Sequence, residues 1–286
     1  MFEMINRGER KREAAELLRT VQVPARLMTA LYLALLMLLN LIDSFADIGF
    51  LGTFISIMTG LLASVLGAGF VLYCMAVRRG ERAEYLTLFD GFSFVGKIIC
   101  LEIVEFFFIF LWSLLFVIPG IIAGYRYSFA LYNLCENPGI GVMEALDMSK
   151  RQTLGYKSQL FTLDLSYLGW SLLSALPAYI MSLVVYYRVL QNVGLSVQDV
   201  LMSPGVLSPV TYLGFPVWAW VLIQSLWTLA VSLFYLPNFY CVQLSYFETA
   251  KTTSGVGLGA QPRNGGGFGG GDGGWQDMGP DGLGPF

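Results

Sequence analysis

The sequence contains no histidine and few charged side chains. None of its 286 residues is His, and Asp, Glu, Lys and Arg together make up only 13% of the chain. Without imidazole, the chain lacks the commonest general base, proton switch and zinc ligand of proteins. Most hydrolase and zinc-enzyme chemistries are therefore excluded. We predict a protein that is not an enzyme and uses no cofactor.

Nucleotide-binding loops, metal-binding cysteine pairs and an excess of basic residues are also missing. The glycines of 265–274 follow no predicted strand and open no predicted helix, so they cannot form a phosphate cradle. The net charge of −3 gives no general attraction to nucleic acid, and we expect no such partner. The four cysteines fall near the predicted cytoplasmic ends of apolar segments and none lies in a predicted outer loop, which predicts reduced thiols. No CxxC spacing supports a metal site. The cysteines are Cys74, Cys100, Cys135 and Cys241.

Apolar side chains are what the sequence has in excess. Hydrophobic residues make up 56% of the chain, and the mean hydropathy is +0.63. A water-soluble core could not enclose that much apolar surface. Since each membrane crossing needs about 20 helical residues, the fold class is predicted as all-α, a polytopic transmembrane bundle of about six spans. The spans are predicted near 27–42, 50–77, 98–118, 120–134, 160–187 and 213–236 or longer within a membrane domain 27–250.

Proline and glycine indicate how two of these spans are joined. Pro119 and Gly120 separate the third span from the fourth, and this pair predicts a tight helical hairpin. Gly120 and Gly124 lie one helical turn apart, so a neighbouring helix is expected to approach closely there.

Both ends of the chain differ from its apolar middle. Residues 1–26 are basic, and apolar Ala14, Leu18 and Val21 predict a cytoplasmic amphipathic helix on the membrane surface. A solvated basic arm is the alternative. The Gly-rich tail 251–286 offers little to bury and is predicted to be a disordered cytoplasmic tether.

A second surface helix is predicted between the fourth and fifth spans, in residues 136–157. Such a helix would rest on anionic headgroups or clasp the inner ends of the spans. Its apolar face, opposite Lys150 and Arg151, consists of Val142, Ala145, Leu146 and Ser149.

The distribution of Lys and Arg predicts the orientation. With the N-terminus inside, fifteen of the seventeen cations fall on the cytoplasmic side. The exceptions are Arg188, at the edge of the outer loop 188–212, and Arg126, within the fourth span. The predicted location is the cell membrane, with the N-terminus and the C-terminus both cytoplasmic.

Four ionisable residues are predicted within the spans, where charge is costly and usually faces protein or water. Glu102 and Glu105 share one face of the third span, and Asp164 enters the fifth span at a similar depth. Together these carboxylates would line a polar cavity that attracts a cation or exchanges protons. Alternatively, they mark the boundary of the membrane. Arg126 would bind an anionic group, contact free carbonyls or extend to the outer interface.

Several ordered motifs resemble the DUF975 family of bacterial integral membrane proteins. The run 110–122, FLWSLLFVIPGII, is similar to that family's most distinctive stretch. The run 88–92, LFDGF, resembles its second cytoplasmic loop, and further matches extend the resemblance over roughly 5–250. The resemblance implies a polytopic membrane protein. It implies no activity, because the family's function is uncharacterised.

Three functions are compatible with these features. The favoured one is a non-catalytic scaffold or accessory factor that binds the lipid bilayer, anionic lipids or other membrane proteins. A transporter or permease for a small or amphipathic molecule would use the four intramembrane charges. An intramembrane lipid-modifying enzyme is least favoured, because carboxylates and serines alone form no recognisable catalytic set. No sequence feature defines the oligomeric state.

Overall fold

The computed structural model describes residues 5–20, 24–45, 50–193, 211–212 and 215–257. Residues 251–254 of the predicted disordered tail 251–286 are helical, which corrects the start of that prediction. Its residues 258–286 lie outside the described residues, as do 194–210 of the outer loop.

Helices make up almost the whole described chain. Two short strands, β1 (Thr211–Tyr212) and β2 (Phe215–Pro216), pair antiparallel before the last helix. In chain order, the helices are α1 (Arg7–Thr20), α2 (Ala25–Ser44), α3 (Phe50–Arg79), a 3₁₀ helix (Tyr85–Phe94), α4 (Val95–Leu115), α5 (Val117–Tyr127), α6 (Ala130–Glu136), α7 (Val142–Gln152), α8 (Lys157–Val193) and α9 (Val217–Ser254).

Four helical segments of the described chain are long and apolar enough to cross a membrane. They are Ala25–Ser44, Phe50–Arg79, Tyr85–Leu115 and Ala219–Ser254. Helix α8 has 37 residues but falls outside this group. The all-α fold class is therefore confirmed, and length and composition indicate insertion into a membrane.

Large apolar side chains remain exposed along these helices. On the α4–α5 hairpin, Phe106, Leu114 and Val117 are 71%, 73% and 74% exposed. Water-soluble monomers rarely present so large a contiguous apolar surface, whereas a surface that faces lipid requires one.

The α4–α5 hairpin turns at Phe116, and the prediction that Pro119 and Gly120 form the turn is wrong. Phe116 is extended, with φ −162° and ψ 153°, whereas Pro119 lies in the first turn of α5. A proline is tolerated there because the first helical N–H groups have no partner within the helix. Gly120 instead lets the two helices meet, since a Cβ at this position would collide with Ser113. Gly124 faces open space and makes no such contact.

The fourth predicted span, 120–134, is not one continuous helix. It is divided between α5 and α6, of 11 and 7 residues, with Ser128 and Phe129 between them. Each piece is too short to cross a bilayer alone.

Helix α1 packs against the bundle. Ala14 is fully buried, and Leu18 packs against the core; Val21 of the predicted stripe lies outside the described residues. Lys11 Nζ donates to Ser166 Oγ of α8 at 3.0 Å. Burial, and then the charge of Arg7, lower the pKa of Lys11. The predicted amphipathic face of α1 thus covers protein.

Ion pairs join the ends of α3, α6 and α9 at the end of the bundle where α1 packs. Arg78 Nε of α3 donates to Glu248 Oε1 of α9 at 2.9 Å. Glu136, at the end of α6, accepts from Arg79 at 3.2 Å and from Lys251 at 2.6 Å. These contacts hold the ends of α3, α6 and α9 together.

Candidate functional site

A cavity of about 410 Å³ opens between α2, α3, α4, α9 and the break that separates α5 from α6. Its lining combines two carboxylates, four tyrosines and several small or polar side chains. The lining residues are Tyr32, Ala63, Ser64, Gly67, Val71, Glu102, Glu105, Tyr127, Ser128, Leu131, Tyr132, Tyr240 and Gln243. We refer to this space as the carboxylate cavity.

The two carboxylates lie on one face of α4, three residues apart, as their spacing predicts. At about 1.5 Å per residue, Glu102 and Glu105 are about 10 and 15 Å from the start of α4. Glu105 Oε1 is buried and has no hydrogen-bond partner among the described residues. An unpaired buried carboxylate is costly, so this oxygen favours either a proton or a cation.

Tyrosines form the aromatic part of the wall. The ring of Tyr32 stacks on Phe70 with a centroid distance of 4.8 Å. The Tyr132 hydroxyl donates to Gln243 Oε1 at 2.7 Å, which links α6 to α9 across the cavity wall. Aromatic faces attract cations, and hydroxyl groups donate to or accept from polar ligands. The wall can therefore contact both the charged and the apolar parts of a ligand.

The break between α5 and α6 borders this cavity at Ser128. Its freed backbone groups are satisfied by α7: Ser149 Oγ donates to the Arg126 carbonyl at 3.0 Å and accepts from the Phe129 N–H at 3.1 Å. Thr153 Oγ1, one residue past the end of α7, lies 3.3 Å from the same carbonyl and 2.9 Å from the Ser149 carbonyl, to which it donates more closely. Irregular backbone at membrane depth requires such partners, and discontinuous helices often border ligand sites.

Helix α7 supports the break through the face that its sequence predicts. Ala145, Leu146 and Ser149 are all fully buried. Next to them, Asn133 and Gln152 exchange hydrogen bonds of 2.8 and 2.9 Å between their side-chain amides. This reciprocal pair fastens α7 to α6.

The other predicted intramembrane charges do not line the carboxylate cavity. Asp164 accepts a hydrogen bond from the Tyr125 hydroxyl at 2.7 Å and lies outside the lining. The Arg126 side chain is half-buried and forms no ion pair with the described residues. The expected set of three carboxylates is therefore reduced to two.

The cysteines are free thiols, and those of Cys74 and Cys241 are in hydrogen-bond contact. Cys74, Cys135 and Cys241 are buried and Cys100 is exposed. Within the described residues, no group of three or more potential ligands could hold a metal ion.

Sequence reasoning missed most of the cavity wall. Tyr32 and Gln243 are more than 200 positions apart in the chain, and tyrosine is common throughout it. Only the polar Ser64 and Gln243 within apolar helices gave a local signal, because polar side chains there usually face protein.

Comparison with known proteins bears on the helices around the break. A family model described as "Protein of unknown function (DUF975)" matches residues 114–193. This segment of the chain is similar to the DUF975 family. The match runs from the last residues of α4 to the end of α8 and includes Ser128 and Tyr132 of the cavity wall. The resemblance of the remaining parts of 5–250 stays a prediction. No curated protein and no solved structure matches the chain.

Proposed function

We propose that this protein binds a small organic cation in the carboxylate cavity and carries it across the membrane. The observation that carries the proposal is the unpaired, buried Glu105 Oε1 beside Glu102 in a cavity that four tyrosines line. Within the part of the chain that the structure describes, no Lys or Arg belongs to the lining. A cationic group would offset the cost of the buried carboxylate, and the tyrosine faces would contact its apolar part.

The size of the cavity favours an organic molecule over a metal ion. Small-molecule sites have volumes of about 300–1,000 Å³ and combine apolar walls with a few polar groups. The carboxylate cavity falls within that range, at about 410 Å³. A metal site would instead bring several ligands to one point.

Transport explains features that a scaffold does not require. A scaffold or accessory factor gains nothing from an unpaired carboxylate in a cavity, although its surface helices and tail would suit binding to other membrane proteins. An enzyme would need more than two glutamates at the site. We therefore favour a permease without catalytic activity and keep the scaffold as the competing function.

The topology that accompanies this proposal has six crossings of the cell membrane. Helices α5 and α6 together form the fourth crossing, interrupted at Ser128, and α8 forms the fifth. The partition of Lys and Arg favours cytoplasmic N- and C-termini. In that orientation, the carboxylates lie nearer the cytoplasmic face.

The test measures binding of ethidium, a monovalent organic cation, to the purified full-length protein in detergent. We expect saturable binding, and we expect Glu102→Gln with Glu105→Gln to weaken it at least about tenfold, equivalent to about 1.4 kcal/mol. Glu9→Gln with Glu81→Gln removes the same two charges from exposed positions outside the cavity and should leave the affinity unchanged. Equal affinities for the double variant and the wild type would refute the cation site.

Uptake into liposomes tests the transport step separately. Vesicles that contain DNA and the reconstituted protein should accumulate ethidium fluorescence faster than vesicles that contain DNA but no protein. The double variant should abolish the difference. Binding without uptake would contradict transport and favour the accessory-factor function. If folded protein bound neither ethidium nor tetraphenylphosphonium, the proposal as a whole would fail.

A further inference from the structure

A second cavity, of about 480 Å³, lies where the end of α1 and the start of α2 meet α9. Arg19 of α1 and Arg26 of α2 line it, together with Leu233, Phe234 and Pro237 of α9. It shares no lining residue with the carboxylate cavity. We call it the arginine cavity.

Both arginines of this cavity lack an acidic partner among the described residues. Neither forms an ion pair with the described residues, whereas Arg78, Arg79 and Lys251 each pair with a glutamate. Among the described residues, no acidic side chain lines the cavity. Guanidinium groups bind phosphate through two parallel hydrogen bonds, so two of them at one cavity are suited to a phosphate group.

The start of α2 also favours a bound anion. Pro24 precedes the helix without a side-chain cap, and the first turn contains no acidic residue. Arg26 therefore places a positive charge where the helix dipole is also positive. A bound anion would offset both charges.

The wall that α9 contributes to the cavity is mostly apolar, with Asn238 as its polar member. Phe234 is 68% exposed, and it lies next to Leu233 in the segment of α9 that is long and apolar enough to cross the membrane. A free phosphate ion makes no use of such a wall. A phospholipid would use both sides, with its phosphate at the arginines and an acyl chain on α9.

We propose that the arginine cavity binds one anionic phospholipid, with Arg19 and Arg26 holding the phosphate headgroup and an acyl chain along Leu233 and Phe234. The occupied site connects α1 to the start of α2 and to α9. This inference does not depend on the carboxylate cavity or on transport.

The test is native mass spectrometry of the delipidated full-length protein in detergent, titrated with phosphatidylglycerol and, separately, with phosphatidylcholine. We expect one phosphatidylglycerol molecule to bind more tightly than phosphatidylcholine. Arg19→Gln with Arg26→Gln should weaken phosphatidylglycerol at least tenfold. The matched control is Arg12→Gln with Arg82→Gln, which removes the same charge from two exposed positions outside the cavity. It should change the affinity less than twofold.

Two further arms distinguish a lipid from free phosphate, and the charge of the arginines from the geometry of their guanidinium groups. Phe234→Ala should weaken phosphatidylglycerol, while inorganic phosphate should compete only at far higher concentration. Arg19→Lys with Arg26→Lys keeps the charge and should give intermediate binding.

Three outcomes would overturn the proposal. The first is an unchanged affinity in the Gln pair, and the second is an equal loss in the control pair. The third is competition by inorganic phosphate at the concentration of the lipid. Ethidium binding by the Gln pair should stay at the wild-type level, so failure here is distinguishable from failure at the carboxylate cavity.

Discussion

Glycine determines how closely the 3₁₀ helix approaches α3. A Cβ at Gly69 would collide with the Leu88 carbonyl, and one at Gly91 would lie 2.6 Å from the Val65 carbonyl oxygen. Each glycine thus receives backbone of the opposite element, and a backbone atom cannot rotate away as a side chain can. Gly91 belongs to the LFDGF motif that resembles the family's second loop, so the motif here has a packing role.

Gly69→Ala is therefore expected to destabilise the protein. The added methyl group forces α3 and the 3₁₀ helix apart, and such overpacking costs about 1–3 kcal/mol. Unfolding in mixed micelles of detergent and sodium dodecyl sulfate measures the change in free energy. Gly60→Ala, in the same helix with no atom within 4 Å of the new Cβ, is the matched control and should be neutral or slightly stabilising. Equal losses in the two variants would contradict the steric argument.

Residue identity alone predicted part of the candidate site. The spacing of Glu102 and Glu105 places both on one face of any helix, so their proximity followed without tertiary information. Asp164 was grouped with them by depth alone, and depth does not specify which way a helix faces. The tyrosine wall depends on how α2, α6 and α9 pack, which local spacing does not encode.

At the scale of elements, the α6–α7 contact depends on a buried pair of amides. Asn133 and Gln152 are 2% and 0% exposed and satisfy each other's side chains. Asn133 Nδ2 also donates to the Phe129 carbonyl at 3.0 Å, beside the helix break. The amide pair therefore holds α7 where Ser149 can support the break.

A double-mutant cycle at this pair tests the interpretation. Gln152→Leu leaves the Asn133 amide buried without its partner, and this should reduce the free energy of unfolding by about 1–3 kcal/mol. Asn133→Leu should cost a similar amount. The double variant should cost clearly less than the sum of the single losses, since it leaves neither amide unsatisfied. Strictly additive losses, measured by unfolding in mixed micelles, would show that the two amides do not act together.

The predictable elements were those with a strong local pattern. Helices α2, α3, α4 and α9 follow from long apolar runs, and the buried face of α7 follows from helical spacing. The hairpin turn was misplaced because Pro119 is as acceptable in the first turn of a helix as it is in a loop. The break at Ser128 depends on hydrogen bonds from Ser149 and Thr153, so no local signal marks it.

At the scale of the whole molecule, two surfaces of different chemistry define how the bundle meets its surroundings. The exposed apolar side chains of α4, α5 and α8 suit contact with lipid. The second surface is charged: the ion pairs among α3, α6 and α9 lie at helix ends rich in Lys and Arg. If the positive-inside rule applies, that charged end faces the cytoplasm.

Cysteine labelling in intact bacterial spheroplasts tests this orientation. Cys74, Cys135 and Cys241 are buried, so Cys100→Ser gives the full-length chain a background that a membrane-impermeant maleimide should not label. In that background, Asp199→Cys in the predicted outer loop should react in intact spheroplasts. Glu81→Cys, exposed after the charged end of α3, should react only after lysis, because the membrane separates it from the reagent. The reverse pattern would invert the orientation. Labelling of both positions in intact spheroplasts would place them on the same side of the membrane. That result would contradict the three crossings predicted between them, and with them the six-span topology.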